Sequence, residues 1–520
     1  MTPQAELGVL ALLAIAAMVA FLARRYDFPY AIGLVLTGLA IGHLTSLDVP
    51  HLSKELLFLV ILPGLIFEAA FQLQTKDVKP VRWTIALLAG PGVLLATALT
   101  GTLLWLGFEW LGLGGLPLLA AMLFAALICA TDPVSVLSVL RSLGVDRKLA
   151  VLMEGESLFN DGTAVVVFTI LLALVGGATV TALSGTVDFL RITVGAAIIG
   201  AGVGLVVSLA TRAVDDPLIE ITLTVLAGYG AFVLAEMFHL SGVIACVVAG
   251  MIVGNWGAHV GMSAPTRLAV ESFWTYLAFI LNSVIFLLVG YEIRLESLIG
   301  YLPAIMLAWT AVLAARGIVI YGNNLVTRLV GRETSPWSWS AILTWGGLRG
   351  GLSMVLALAI PRDFPQRDLI LHLTFGTVLL SLVLQGLTIK PLLASLGLSH
   401  AADPAQSDFE LALGQLRAAE AALAETERLA ADHMISTQAA ARTGTALRER
   451  ITQLRQTLDG LRGAHPHLEL REQGARDRHL LLIEKDSLVE TQRLGLISKP
   501  SFERLTRQID EQLFALRREH

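Results

Sequence analysis

Charge is what this 520-residue chain has least of: Asp, Glu, Lys and Arg make up 15% of it, while 55% is hydrophobic. Soluble domains carry about 25% charged residues, so the composition excludes an ordinary soluble globular protein and directs much of the apolar surface towards lipid. Cysteine is nearly absent. Cys129 and Cys246 both lie inside apolar runs, too isolated for a disulfide framework or a thiolate metal cluster. A net charge of −5 spread over this length offers nothing to a nucleic-acid partner. A basic segment before the first apolar run is also missing. Arg24 and Arg25 follow that run, so no cleavable signal peptide is expected and the first helix is read with its N-terminus outside.

What the chain has in abundance is long apolar runs. A helix of roughly 18 or more apolar residues crosses a ~30 Å hydrocarbon core. Thirteen candidates precede residue 396: 5–24, 28–47, 55–72, 83–108, 115–141, 149–176, 188–211, 217–238, 240–256, 270–290, 300–327, 337–361 and 368–395. Counted from an outside N-terminus, the inside loops carry Arg24, Arg25, Lys76, Lys79, Arg82, Arg141, Arg147, Lys148, Arg212, Arg267, Arg328 and Arg332. The outside loops carry only Lys54, Arg191, Arg294, Arg362 and Arg367. This asymmetry follows the positive-inside rule, and an odd number of spans leaves the C-terminus in the cytoplasm. The chain is therefore read as an all-α, multi-pass protein of the cell membrane.

After about residue 396 Ala, Leu, Glu, Arg and Gln take over, which marks a soluble helical tail. Two domains are expected, a membrane domain over 1–396 and a cytoplasmic tail over 397–520. Breaks near Gly463 to Pro466 and Gly495 to Pro500 divide the tail into about three helices, the last from Ser501 to about Arg518 with Leu505, Ile509 and Leu513 as its apolar stripe.

Two spans are interrupted, at Thr131-Asp132-Pro133 and at the glycine-rich stretch Gly346 to Gly351. Interrupted helices in two separated parts of a membrane protein point to a transport site near mid-membrane and make inverted repeats plausible. Pro133 has no N–H to donate, so the helix breaks near Asp132 and releases the carbonyl of Cys129. Around these breaks lie seven deep ionisable residues, Glu68, Asp132, Glu154, Glu156, Asp161, Arg316 and Arg349. A charge at the bilayer centre costs ~2.5–3.5 kcal/mol on insertion scales. Two arginines cannot neutralise five acids, so at least three carboxylates must be protonated, hydrated or bound to a cation.

On a helix, Glu154, Ser157 and Asp161 share one face, and Glu156 and Asn160 form a second pair. Ser157, Asn160 and Asp161 then offer hydroxyl, amide and carboxylate oxygens close together. With Asp132 and freed carbonyls this is a hard-oxygen set suited to Na⁺. It is too poor in fixed carboxylates for a Ca²⁺ cage. Glu154, Glu156, Arg316 and Arg349 are expected to form ion pairs that hold the break, since each arginine stays charged and needs a carboxylate. Glu68 joins the candidate set as a further deep acid. Asn282, Ser283, Asn323 and Asn324 read as interhelical hydrogen-bonding groups.

Five blocks make the pattern specific: Leu62 to Ala69, Ala130 to Val134, Gly155 to Gly162, Ser241 to Cys246 and Gly346 to Gly351. They resemble, in order, the signatures of the monovalent cation/proton antiporter-1 family, the bacterial relatives of eukaryotic sodium/proton exchangers, and the wider likeness covers residues 5 to 396. The resemblance implies homodimers with inverted repeats, a dimerisation part and a moving core. It implies that Asp161 binds the cation or the proton, with Asp132, Thr131 and Ser157 completing the site. It further implies that Glu156 pairs with an arginine, for which Arg316 and Arg349 both qualify, and that Asn160, standing where electrogenic relatives have a second aspartate, goes with electroneutral exchange.

The reading is thus a secondary transporter exchanging Na⁺ or Li⁺ for H⁺, not an enzyme, with no cofactor. K⁺/H⁺ exchange at the same residues is the alternative. A cation channel fits the titratable acids and broken helices less well. An intramembrane aspartyl protease would need Asp132 and Asp161 to share a proton, which the arginines and Asn160 disfavour.

Overall fold

The computed structural model describes residues 3–465 apart from 27, 45–55, 178–181, 215, 259–260, 263, 332–334, 399–403 and 433, and scattered positions after 475. The chain divides into two compact units, Met1–Ser399 and His400–His520. The described residues of the first unit are helical or connecting, with no strand.

Among the described residues, eight helices are long and apolar enough to cross a membrane, four shorter apolar helices accompany them, and the interrupted pair Trp337–Trp345 and Gly351–Leu358 adds to these. In chain order they are α1 (Pro3–Tyr26), α2 (Tyr30–Leu44), α3 (Leu62–Gln72) and α4 (Thr75–Leu111). The first interrupted helix follows as α5 (Leu118–Cys129) and α6 (Val134–Ser142), then α7 (Arg147–Val175), α8 (Ala182–Thr211), α9 (Pro217–Met237) and α10 (Gly242–Ile252). The unit closes with α11 (Ala264–Glu292), α12 (Leu302–Leu329), the second interrupted helix α13 (Trp337–Trp345) and α14 (Gly351–Leu358), and α15 (Arg367–Ser395). The helices carry apolar residues outward as well as inward. Leu10, Phe21, Trp110 and Ile198 are all more than 60% exposed, a surface that only lipid accommodates without penalty.

Two features position the site. Asp146 caps α7, its carboxylate accepting from the Lys148 amide at 2.8 Å, so the helix bearing the signature acids starts at a defined residue. The two interrupted helices then cross at their extended segments, where the Asp132 amide donates to the Leu348 carbonyl at 2.8 Å. That approach explains Gly350, and the Arg316 side chain reaching in from α12 explains Gly347. A Cβ on Gly350 would lie 2.4 Å from the Asp132 Cβ, and one on Gly347 would lie 2.1 Å from the Arg316 guanidinium.

Four short π-helical turns, Leu57–Ile61, Leu88–Gly92, Val253–Gly257 and Ser381–Gln385, were not legible as such from hydropathy. One contains Pro91, whose missing N–H accounts for the local widening.

In the second unit, α16 (Pro404–Ala431) and α17 (Thr437–Ala464) pair as a hairpin around Phe409, Leu416, Ile451 and Leu458. Arg455 meets Glu420 and Arg448 meets Glu427 across it, at 2.9 and 2.7 Å. The helix expected from Ser501 to about Arg518 lies largely outside the described residues.

Candidate ion-binding site

Because α5 stops at Cys129 and α6 starts at Val134, residues Ala130 to Pro133 form a non-helical link beside α7. A residue preceding proline is pushed out of the helical region, which is the local cause. Hydrogen bonds tie the break to α7. The Thr131 amide donates to Asp161 Oδ1 at 3.2 Å, Ser157 Oγ donates to the Thr131 carbonyl at 2.5 Å, and Asn160 Nδ2 donates to the Cys129 carbonyl at 2.8 Å. Asp132 turns its carboxylate onto the first turn of α6, accepting from the Val134 amide at 3.2 Å.

The two faces of α7 serve different layers. Glu154, Ser157 and Asp161 line a cavity of about 380 Å³ together with Glu68, Thr131 and Asp132. This cavity gathers four carboxylates, the Ser157 hydroxyl and the Thr131 backbone, while the arginine on its wall, Arg141, is held by Glu154 at 2.5 Å. Gln72 donates to Glu68 at 2.5 Å and to Thr275 at 3.2 Å, joining α3 to α11 at the same cavity.

The opposite face forms a buried structural layer. Both Glu156 oxygens accept from Arg316, each at 3.0 Å, and Arg316 Nε also donates to the Leu343 carbonyl at 3.0 Å. Two-point contact suits the guanidinium fork, and it ties α7 to α12 and α13.

Three expectations need correction. Arg349 takes no carboxylate partner among the described residues; it donates to the carbonyls of Cys129 and Ala130 at 2.8 and 3.3 Å. The broken end of α5 exposes these carbonyls and the negative end of its dipole, and they hold the cation instead. Glu154 pairs with Arg141, one helix away, and not with either deep arginine. Asn160 does not share the cavity with Ser157 and Asp161. It faces Glu156, Arg316 and Arg349 around a separate cavity of about 30 Å³, and its Oδ1 is buried with no hydrogen-bond partner among the described residues. The Cys129 carbonyl expected to face the ion is therefore taken by Asn160 and Arg349.

The residues missed from sequence are Arg141, Gln72 and Thr275 on the cavity wall, and Asn282, read as an interhelical hydrogen-bonding group, lines the same cavity. Gln72 stands one helical turn from Glu68 and was detectable by spacing; the others depend on which helices meet.

Interrupted helices crossing over paired carboxylates inside a multi-pass bundle define a membrane transporter of the broken-helix class. The model of the family described as "Sodium/hydrogen exchanger, transmembrane" matches residues 9–395. The Na(+)/H(+) antiporter NhaG of Bacillus atrophaeus is 35% identical over 99% of this chain and 98% of its own length. The low-affinity Na(+)/H(+) antiporter NhaS1 of Synechocystis is 40% identical over 71% of this chain and 70% of its own length. Among solved structures, the sodium proton antiporter MjNhaP1 of Methanocaldococcus jannaschii superposes with a TM-score of 0.62 over 75% of this chain and 97% of its own, at 22% identity, a likeness of fold. The chain belongs to the sodium/hydrogen exchanger family. It is a multi-pass membrane transporter and not an enzyme.

Proposed function

We propose that this protein exchanges Na⁺ or Li⁺ for H⁺ across the cell membrane, with cation and proton competing for Asp161. The observation carrying this reading is the partition of charge across α7. Arg316 is committed to Glu156, Arg349 to carbonyls and Arg141 to Glu154, so among the described residues no basic group pairs with Asp161 or Asp132. The two carboxylates face a cavity wide enough for water and ions. Their neutralisation is left to what enters from solution.

Asp161, with Asp132, Ser157 and Thr131, holds the cation, and Glu68 contributes from the facing helix α3. Asn160 supports the broken helix from behind. Only a loaded carboxylate, protonated or cation-bound, crosses readily, because a bare one is costly away from water. Coupling then needs nothing beyond competition, and one titrating group exchanging one cation for one proton is electroneutral. The names of the relatives NhaG and NhaS1 support the substrate pair. The protein works as a homodimer, with the N-terminus outside and the 397–520 tail in the cytoplasm.

The test is cation-induced collapse of a preset pH gradient in vesicles holding the purified protein. Na⁺ and Li⁺ collapse it, Asp161→Asn does not respond, and clamping the membrane potential leaves the rate unchanged. A response to K⁺ alone would replace the substrate while keeping the site. Undiminished exchange by Asp161→Asn would overturn the scheme.

A further inference from the structure

Away from the ion site, α12, α13 and α15 enclose an outward-open groove of about 360 Å³, walled by Leu313 and Tyr321, by Ala341 and Trp345, and by Leu392. Its polar atoms are largely spent internally. Trp345 Nε1 donates to Thr388 Oγ1 at 2.8 Å, and the Thr344 hydroxyl donates to the Ser340 carbonyl at 2.8 Å. What it presents is therefore apolar, on the surface of a bundle whose outer faces meet lipid.

One end of the groove is built differently. Tyr321 stacks on Trp337 with ring centroids 5.9 Å apart and planes 13° apart, and the Arg328 guanidinium lies 4.7 Å over the same indole. Tyr321 and Arg328 are seven residues apart on α12, two turns or about 10 Å along the axis, so both side chains reach the one ring. Trp337 is 46% exposed, as an interfacial tryptophan is. Arg328 is held by Asn324 Oδ1 at 3.0 Å and by the Ser335 carbonyl. It pairs with no carboxylate among the described residues, and Nη1 has no hydrogen-bond partner among them.

We propose that this groove is a binding site for one anionic phospholipid, with an acyl chain along Leu313, Ala341 and Leu392 and the phosphate on Arg328. The charge decides the class. A positioned guanidinium with a free edge matches a phosphate, and a headgroup lacking its own cation leaves that contact uncompensated. The aromatic ledge separates tail from headgroup at the depth where the interface lies. In the orientation proposed above this is the cytoplasmic leaflet. One arginine near an anionic headgroup is worth about fivefold in affinity.

The test titrates the purified full-length protein in detergent with phosphatidylglycerol and with phosphatidylcholine of the same acyl chains, counting retained lipid by native mass spectrometry. One phosphatidylglycerol is expected to be held roughly fivefold more tightly than phosphatidylcholine. Arg328→Gln abolishes the preference. Ala341→Phe and Leu313→Trp, which fill the groove at different walls, each lose the retained lipid of either kind, so either variant serves if the other does not fold. Arg82 lies 5.6 Å over Trp83 without this groove, and Arg82→Gln keeps the preference. Equal retention of the two lipids, equal loss in Arg82→Gln, unchanged retention in the filled variant, or displacement by inorganic phosphate would each overturn the proposal.

Discussion

Asp161 and Glu156 lie five residues apart on α7 and meet opposite surroundings. Glu156 is buried against Arg316 with both oxygens bonded; Asp161 faces the cavity with one backbone amide on Oδ1. Removing one partner of a buried ion pair leaves an uncompensated charge and costs about 3–5 kcal/mol. Glu156→Gln is therefore expected to lower the melting temperature in detergent and to cut transport through loss of folded protein, whereas Asp161→Asn abolishes transport at unchanged melting temperature. If one carboxylate serves both ions, lowering the pH fills it with protons. The apparent KM for Na⁺ then rises, approaching about tenfold per pH unit on the acid side, with kcat unchanged. A fall in kcat at constant KM would count against a shared carboxylate. The pair Arg141–Glu154 on the cavity wall adds a charge effect on access. Glu154→Gln leaves Arg141 facing arriving cations and should raise KM for Na⁺, while Arg141→Gln leaves Glu154 free and should lower it. Both effects shrink at high ionic strength through screening, which kinetics in two salt concentrations would reveal.

At the scale of elements, the crossing of the two interrupted helices is the device that holds the site. It depends on backbone contact at Asp132 and Leu348 and on the absence of a side chain at Gly350, while the bare Gly347 leaves room for Arg316 of α12. Gly350→Ala inserts a methyl group 2.4 Å from the Asp132 Cβ, and overpacking of this kind costs about 1–3 kcal/mol. Since Asp132 must move to relieve it, transport should fall far more than stability. Gly202, where an added Cβ meets nothing within 4 Å, is the control: Gly202→Ala should leave the KM for Na⁺ and the melting temperature near those of the parent protein.

At the scale of the molecule, the two units have separate cores. The membrane core runs through α1 to α15, and the hairpin core comprises Phe409, Ala412, Leu416, Ala419, Ile451 and Leu458. The residues of the ion site all belong to the first. A chain ending at Ser399 is expected to insert and to keep cation-driven proton flux in vesicles, with any change appearing as a shifted pH profile or KM. Complete loss of flux in a well-folded truncation would assign the tail a part in transport itself.

Much of this was decided by the sequence alone, for a physical reason. Lipid requires every backbone polar group to be satisfied within the chain, so long apolar runs mean helices, and Pro133 and the glycines of 346–351 mark where helices must break. Helical spacing likewise sorted Glu154, Ser157 and Asp161 onto one face of α7 and Glu156 and Asn160 onto another. Only the tertiary structure decided what each face meets. Which carboxylate Arg316 holds, why Arg349 needs none, and why Asn160 turns from the cavity all depend on how α5, α12 and α13 approach α7. Periodicity describes one helix at a time, whereas a buried charge is stabilised by atoms hundreds of residues away. Arg316 and Glu156, 160 residues apart, meet only after the bundle has formed.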